Sequence, residues 1–176
     1  MQFNVAQQLK SSIGSSRSYR IDESIDLADE GRDVCLLQGG VDLLRTDRGI
    51  LAKGNFETGV RLVCSRCLGL FQCPLRLTIE EEYFPSIDVV SGIRLPPPEE
   101  ACAFTIDGNH ILDLSEATRQ YILLATPLKP LCRPDCAGLC SYCGHNLNQG
   151  SCGCRTLIPT TGSGKTGKES NNGTST

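Results

Sequence analysis

Tryptophan is absent from this 176-residue chain, aromatic residues make up 5%, and histidine occurs only twice. A hydrophobic fraction of 39% still allows a core, but one that is mainly aliphatic. The two histidines, His110 and His145, have no recognisable nucleophile or orienting partner near them in sequence. Carboxylates crowd 80–82 and 99–100 in solvated runs with no pattern of a paired acid and base. No catalytic residue is therefore expected, and the chain reads as a non-enzyme. Basic residues are not in excess: 17 Lys and Arg stand against 20 Asp and Glu, giving a net charge of −3 and a pI near 5.4. Non-specific coating of nucleic acid needs many phosphate-neutralising cations, so any nucleic-acid contact has to be local.

Long hydrophobic runs are also missing. No stretch reaches the roughly 18 apolar residues of a membrane span, and no membrane association is expected. The opening "MQFNVAQQLKSSIG" lacks the apolar middle and small-residue cleavage site of a signal peptide. A cytoplasmic location follows as an expectation. The cytosol keeps thiols reduced, and an odd count of 11 cysteines suits a complete disulfide framework poorly.

The apolar residues that are present form a pattern. Residues 34–84 read as a meander of long antiparallel strands, with a turn at Asp47–Gly49. Ile50, Ala52, Val60, Leu62 and Cys64 fall at two-residue spacing around a Gly-containing interruption. Leu75, Leu77 and Ile79 alternate with Arg76, Thr78 and Glu80, one dry face and one wet. Cys64–Leu68 lies at the turn between these runs. A short helix is expected over 4–12, a Pro-rich loop over 85–101 and a short strand at 102–106. A helix follows Asp113, which with Glu116 resembles a capping box. Its buried face is expected to be Leu114, Ala117, Tyr121 and Leu124, and Pro127 stops it. From Thr160 the chain is Gly, Ser, Thr, Asn and Lys with a single Glu, which reads as a disordered tail.

The fold class expected is α+β, mainly an antiparallel β-sheet with a few short helices and a C-terminal segment resembling a zinc knuckle. The expected division is a sheet-rich main domain at 1–126, a cysteine-rich metal-binding segment packed on it at 127–159, and the tail at 160–176. Charge is uneven along this frame. Residues 45–79 carry Arg45, Arg48, Lys53, Arg61, Arg66 and Arg76 against Asp47 and Glu57, whereas 80–116 hold nine acids and one arginine. These runs are either solvated faces or a basic contact surface flanked by an acidic loop that steers or competes.

Cysteine carries the chemistry. "CSRC" supplies Cys64 and Cys67, "CRPDC" supplies Cys132 and Cys136, and "CSYCG" with "CGC" supplies Cys140, Cys143, Cys152 and Cys154. Structural zinc takes four thiolate or imidazole ligands in a tetrahedron, often from pairs two to four residues apart. Gly144 permits the tight backbone after a CxxC turn, and the two thiols of an extended CGC share one face. Cys140, Cys143, Cys152 and Cys154 can close one site among themselves, with His145 as a possible substitute ligand. Cys64, Cys67, Cys132 and Cys136 can form a second that staples the C-terminal segment to the sheet. The competing arrangement joins Cys64 and Cys67 to Cys140 and Cys143. One or two Zn2+ ions are expected. A thioredoxin-type redox pair would want a βαβ context; an iron–sulfur cluster would use the same ligand type. Cys35, Cys73 and Cys102 stand apart and suit small core positions. "PTTGSGKT" at 159–166 is one residue short of a phosphate-binding loop, with Pro159 in place of its first glycine, and it lacks the flanking strand and helix, so no nucleotide is expected.

"VCSRCLGLF", "TPLKPLC" after a helix, and "CAGLCSYCGHNLNQGSCGC" together resemble the YceD family of large ribosomal RNA subunit accumulation proteins, from the N-terminus to about residue 157. The resemblance implies a role in accumulation or processing of 23S ribosomal RNA and in large-subunit assembly. Its implied partners are the 23S rRNA precursor or large-subunit proteins, and it implies no catalytic residues. Arg61, Arg66, Arg76, Lys129, Arg133 and Arg155 are candidate phosphate contacts. The alternatives are an adaptor that binds protein alone and a thiol redox enzyme.

Overall fold

Strict alternation in three long runs sets the architecture. A computed structural model describes residues 1–27, 34–98 and 103–154. Cys102, the 159–166 motif, Arg155, Glu99, Glu100 and the tail from 160 lie outside the described residues. The chain runs β1 (Gln2–Asn4), α1 (Ala6–Leu9), β2 (Ser16–Asp26), β3 (Val34–Arg45), β4 (Ile50–Val63), β5 (Leu70–Pro85), β6 (Phe104–Ile106), β7 (Ile111–Asp113) and α2 (Ser115–Ala125). A 3-10 turn follows at Leu147–Gln149. Strands β2 to β5 form an antiparallel meander in sequence order, and β6 adds to β5 in parallel; β1 and β7 make a separate antiparallel pair. The expected α+β class is observed. Among the described residues no helix is long and apolar enough to cross a membrane.

Each long strand turns one face inward. Cys35, Leu37, Val41 and Leu43 on β3, Ile50, Ala52, Phe56 and Val60 on β4, and Leu75, Leu77, Ile79 and Tyr83 on β5 are buried at even spacing, as a half-buried sheet requires. Helix α2 covers this face with Ala117, Thr118 and Ile122, preceded by the buried Leu114. The buried stripe is therefore rotated from the expected one: Leu124 is 81% exposed, because Leu114, Thr118 and Ile122 at four-residue spacing define the contact. The capping box is also absent. Asp113 Oδ1 accepts the Ser115 N–H at 2.8 Å, and Glu116 bonds Arg119 at 2.9 Å instead of reaching back. Tyr121 donates its hydroxyl to Glu81 at 2.9 Å and ties α2 to β5.

The ring of Phe56 lies over two strand glycines. Gly39 is its cross-strand partner and Gly54 sits two residues before it on the same face. A Cβ on Gly39 would meet the Phe56 ring at 2.8 Å, and one on Gly54 would meet it at 2.7 Å or less. Both positions give the ring room to lie flat against backbone. By contrast, a Cβ at Gly40, on the wet face, would meet only the Tyr19 carbonyl, at an ordinary 3.5 Å.

The wet face is neutralised across strands. Glu57 and Arg76 are direct β4–β5 partners at 3.1 Å, and Lys53 and Glu80 are partners at 2.6 Å. Arg48 meets Glu82 at 2.5 Å. Arg45 is used internally, donating to the carbonyls of Leu9 at 3.2 Å and Gly49 at 2.9 Å. The basic run of 45–79 and the acids at 80–82, segregated in sequence, thus interleave in the sheet.

Replacing Gly54 by Val is expected to cost about 1–3 kcal/mol through overpacking against Phe56, whereas Gly40→Thr leaves stability unchanged or raises it. Denaturant midpoints of the two variants check this.

Candidate metal centres

The first knuckle is the β4–β5 turn itself. After the last strand pair, Val63 with Leu70, the six residues 64–69 close the hairpin. The Cys64 N–H donates to the Gly69 carbonyl at 2.9 Å, and the Leu68 N–H donates to the Cys64 carbonyl at 3.0 Å. This places both sulfurs of the CxxC on one side of the turn. The second knuckle repeats the scheme: Cys140 N–H to the His145 carbonyl at 2.8 Å, and Gly144 N–H to the Cys140 carbonyl at 2.9 Å. The residue after the second cysteine has positive φ in both, 56° at Leu68 and 71° at Gly144. Glycine adopts this conformation freely, whereas Leu carries a strain of roughly 1–2 kcal/mol.

Cys132 and Cys136 return from α2 to the first knuckle. The Ser65 N–H donates to the Pro130 carbonyl at 2.8 Å, and Arg66 Nη1 to the Cys136 carbonyl at 3.1 Å. Gly138, at φ 74°, lets its backbone approach Arg66, whose carbonyl would lie 3.2 Å from a Cβ there. Cys64 Sγ then stands 3.8 Å from Cys136 Sγ, and Cys67 Sγ 3.7 Å from Cys132 Sγ. The ligand atoms of Cys64, Cys67, Cys132 and Cys136 all lie within 4.8 Å of one another, as do those of Cys140, Cys143, Cys152 and Cys154. The competing assignment, Cys64 and Cys67 with Cys140 and Cys143, is not the one the fold makes.

These distances identify what the thiols can do. A disulfide needs about 2.05 Å between sulfurs. A tetrahedron with metal–sulfur bonds of about 2.3 Å, the zinc–thiolate length, has edges of roughly 3.8 Å. Thiolates on the separate irons of a multinuclear cluster stand wider than those around one ion, so each tetrad suits a single ion. Four protein ligands close the coordination shell, which makes such centres structural: no position is open for a reacting water. Both tetrads are positioned to hold metal ions. They differ in exposure. Cys64, Cys67 and Cys136 are buried, whereas Cys143 is exposed and Cys140, Cys152 and Cys154 are half-buried.

Without a cation the thiols of one tetrad cannot all ionise. Backbone N–H groups of Cys67 and Cys132 draw the Cys64 thiol down to about 6. Burial and then the neighbouring thiols push Cys132 up to about 12. In the second tetrad, the backbone N–H groups of Cys143 and Tyr142 lower Cys140 to about 6. Contact with the Cys143 thiol and then burial raise Cys154 to about 12. A divalent ion that gathers all four as thiolates displaces the protons held by the raised members.

The other expected residues fall as follows. The His145 imidazole is exposed and outside the second tetrad; only its carbonyl serves the knuckle. His110 occupies the β6–β7 turn at φ 61° and gives its carbonyl to the Val5 N–H at 3.0 Å. Cys35 is buried in the sheet core, and Cys73 is half-buried on β5. Of the candidate phosphate contacts, Arg66 is bonded to Cys136, Arg76 to Glu57, and Arg133 to Asn148 at 2.7 Å and Asp135 at 3.6 Å. Among the described residues Arg61 and Lys129 have no ion-pair partner. Sequence reasoning missed Asn148, whose amide donates to Cys136 Sγ at 3.3 Å. Nothing in the turn-rich "GHNLNQGS" singles it out.

The class that fold and site define is a small α+β protein in which a thiol tetrad fastens a C-terminal segment to the turn of an antiparallel meander. Over residues 52–160 the chain matches the family described as large ribosomal RNA subunit accumulation protein YceD. This chain belongs to the YceD family. It is 44% identical over 143 residues to the large ribosomal RNA subunit accumulation protein YCED homolog 1, chloroplastic, of Zea mays, covering 65% of this chain and 47% of that protein. It is 27% identical over 99 residues to an uncharacterized protein of Mycobacterium leprae, covering 56% of this chain and 43% of that one. Against a Mycobacterium tuberculosis relative it is 28% identical over 100 residues, covering 56% and 45%. The chain thus spans less than half the length of these curated relatives. No solved structure matches it.

Two outcomes are expected. Metal affinity falls as pH drops from 8 to 6, because protons then compete for thiols such as Cys132 and Cys154; chelator competition at several pH values reads this directly. Leu68→Gly keeps the metal and gains about 1 kcal/mol by relieving the positive φ, while Gly144→Val loses at least that amount, both read by thermal unfolding of the loaded chain.

Proposed function

We propose that this chain is a non-enzymatic factor supporting 23S ribosomal RNA accumulation or processing and large-subunit assembly, with zinc as the structural ion in both tetrads. The observation that carries the non-enzymatic part is the closure of both sites by four cysteines each, which leaves rigidity as the service the ions supply. Family membership supports the ribosomal part. Zinc fits the all-sulfur donor set and the 3.7–3.8 Å sulfur spacings of the first tetrad. In this reading residues 1–126 are the scaffold and 127–159 the metal-bearing segment.

Charge narrows the choice of RNA contacts. A divalent ion held by four thiolates leaves a double negative charge at each centre. Arg66 and Arg133, bonded next to the first centre, offset part of it, and Arg76 is matched by Glu57. Arg61 and Lys129 are then the phosphate contacts favoured among the described residues. Arg61 stands three residues ahead of Cys64, and Lys129 precedes Pro130, which is bonded to Ser65 of the same knuckle. Arg155 completes the set from outside the described residues.

A second reading, an adaptor that docks on a large-subunit protein, is favoured by apolar side chains in the same segments. Leu68 is 64% exposed, Leu70 68% and Leu128 fully exposed. The two readings separate on nuclease treatment of the purified assembly, which releases an RNA-bound factor and spares a protein-bound one. A thiol redox enzyme would instead show a reactive low-pKa thiol in the metal-loaded chain.

If RNA is the partner, the Arg61→Gln/Lys129→Gln double variant keeps its metal and fold. It weakens binding to 23S precursor transcripts across sequences and reduces the salt slope by about one for each phosphate no longer neutralised. Unchanged affinity and slope would remove these residues from the interface.

A further inference from the structure

Cys136 and Cys140 belong to different tetrads and stand four residues apart. The strip between them is held antiparallel to the loop that closes the second tetrad. Leu139 bridges Asn146, and the Leu147 N–H donates to the Gly138 carbonyl at 2.9 Å. This pairing carries Asn148, a residue of the Cys143–Cys152 loop, back onto the first tetrad. Its amide is fully used. Oδ1 accepts from Arg133 Nη2 at 2.7 Å and from the Ala137 N–H at 2.9 Å. Nδ2 donates to Asn146 Oδ1 at 2.8 Å and to Cys136 Sγ at 3.3 Å. Arg133 and the Ala137 N–H can only donate, so they fix the oxygen on their side and the NH2 on the sulfur.

We propose that Asn148 couples the two centres: an ion in the second tetrad fixes the Cys143–Cys152 loop, which holds the Asn148 amide against the Cys136 sulfur and tightens ion binding at the first. The proposal rests on both tetrads being metal centres. The physical basis is local. An N–H donated to a metal-bound thiolate spreads its charge and fixes its orientation, and such outer partners carry about 10–100-fold in metal affinity. Loop 144–151 is short, polar and largely exposed, so ordering it without an ion costs conformational entropy. An ion that closes the loop removes that cost from the placement of Asn148. Coupling of this kind is reciprocal, so filling the first centre also favours the second. Asn148 is a positioning residue here and not a ligand.

Asn148→Asp separates this role from turn formation by the backbone. It keeps the backbone N–H bond to Asn146 Oδ1 and the acceptor side toward Arg133 and Ala137, but faces Cys136 and Asn146 Oδ1 with an oxygen that cannot donate. The test uses the full chain, zinc measured by chelator competition, and cobalt as an optical probe of the thiolates. In the otherwise unaltered chain, breaking the second tetrad with Cys140→Ser/Cys143→Ser is expected to lower first-centre affinity by about 10-fold or more. In chains carrying Asn148→Ala or Asn148→Asp, first-centre affinity is already lowered, and the same break adds nothing. The cobalt–thiolate charge-transfer band of the first centre shifts in both Asn148 variants, while the far-UV signal of the sheet stays unchanged. If breaking the second tetrad leaves first-centre affinity intact, or lowers it equally with and without Asn148, the coupling is wrong while the metal assignment stands. If neither tetrad takes zinc or cobalt, both fall.

Discussion

The convergence of four thiols from two distant parts of the chain is the constraint on which the C-terminal half depends. Cys64 meets Cys136 across 72 residues and Cys67 meets Cys132 across 65. Closing so long a loop costs entropy, and gathering four thiolates within 4.8 Å sets like charges against one another. A divalent cation resolves both: it removes the repulsion and its binding energy becomes folding energy. The contacts around it are short-range and few, chiefly Ser65 with Pro130, Arg66 with the Cys136 carbonyl and Gly138 against Arg66. They shape the junction more than they hold it. The sheet presents the rigid half of the ligand set because its β4–β5 turn is the knuckle.

Electrostatics then decides which surfaces are available. On the wet face Lys53 is paired with Glu80 and Arg76 with Glu57, so acids interrupt the positive charge of β4 and β5. Exposed pairs of this kind add little stability; their larger effect is to cancel the segregation of charge seen along the chain. A divalent ion held by four thiolates would leave the first tetrad anionic, and Arg66 and Arg133 are bonded beside it, to the Cys136 carbonyl and to Asn148. Arg61 and Lys129, beside the first knuckle, are among the described cations that no such pair uses, which agrees with the local RNA contact proposed for them.

The meander was legible because apolar residues recur at two-residue spacing along β3, β4 and β5, on either side of the Gly-containing breaks, and a one-residue slip would turn every apolar side chain outward. β2 was not. Its two buried residues, Ile21 and Ile25, are four apart, with Tyr19 half-buried and Glu23 exposed on the same face, so an edge strand carries a spacing closer to a helical one. β1 and β7 have three residues each, too few for any period to show, whereas β6 falls within the short strand expected at 102–106. The stripe on α2 was misplaced because Leu124 and Ile122 are equally apolar in sequence, and only packing against the sheet chooses between them. Both thiol tetrads were readable from CxxC spacing and from the cysteines left over once Cys140, Cys143, Cys152 and Cys154 were grouped. Asn148 was not readable at all: an amide that serves one tetrad from within the loop of the other leaves no periodicity, spacing or charge signature.

Zinc-edge X-ray absorption of the purified full chain tests the central claim most directly. Two tetracysteine centres give a first shell of sulfur alone, four atoms at about 2.3 Å per zinc, with two zinc ions per chain. Nitrogen or oxygen in that shell, or a chain without metal whose knuckle cysteines are paired as disulfides, would contradict it.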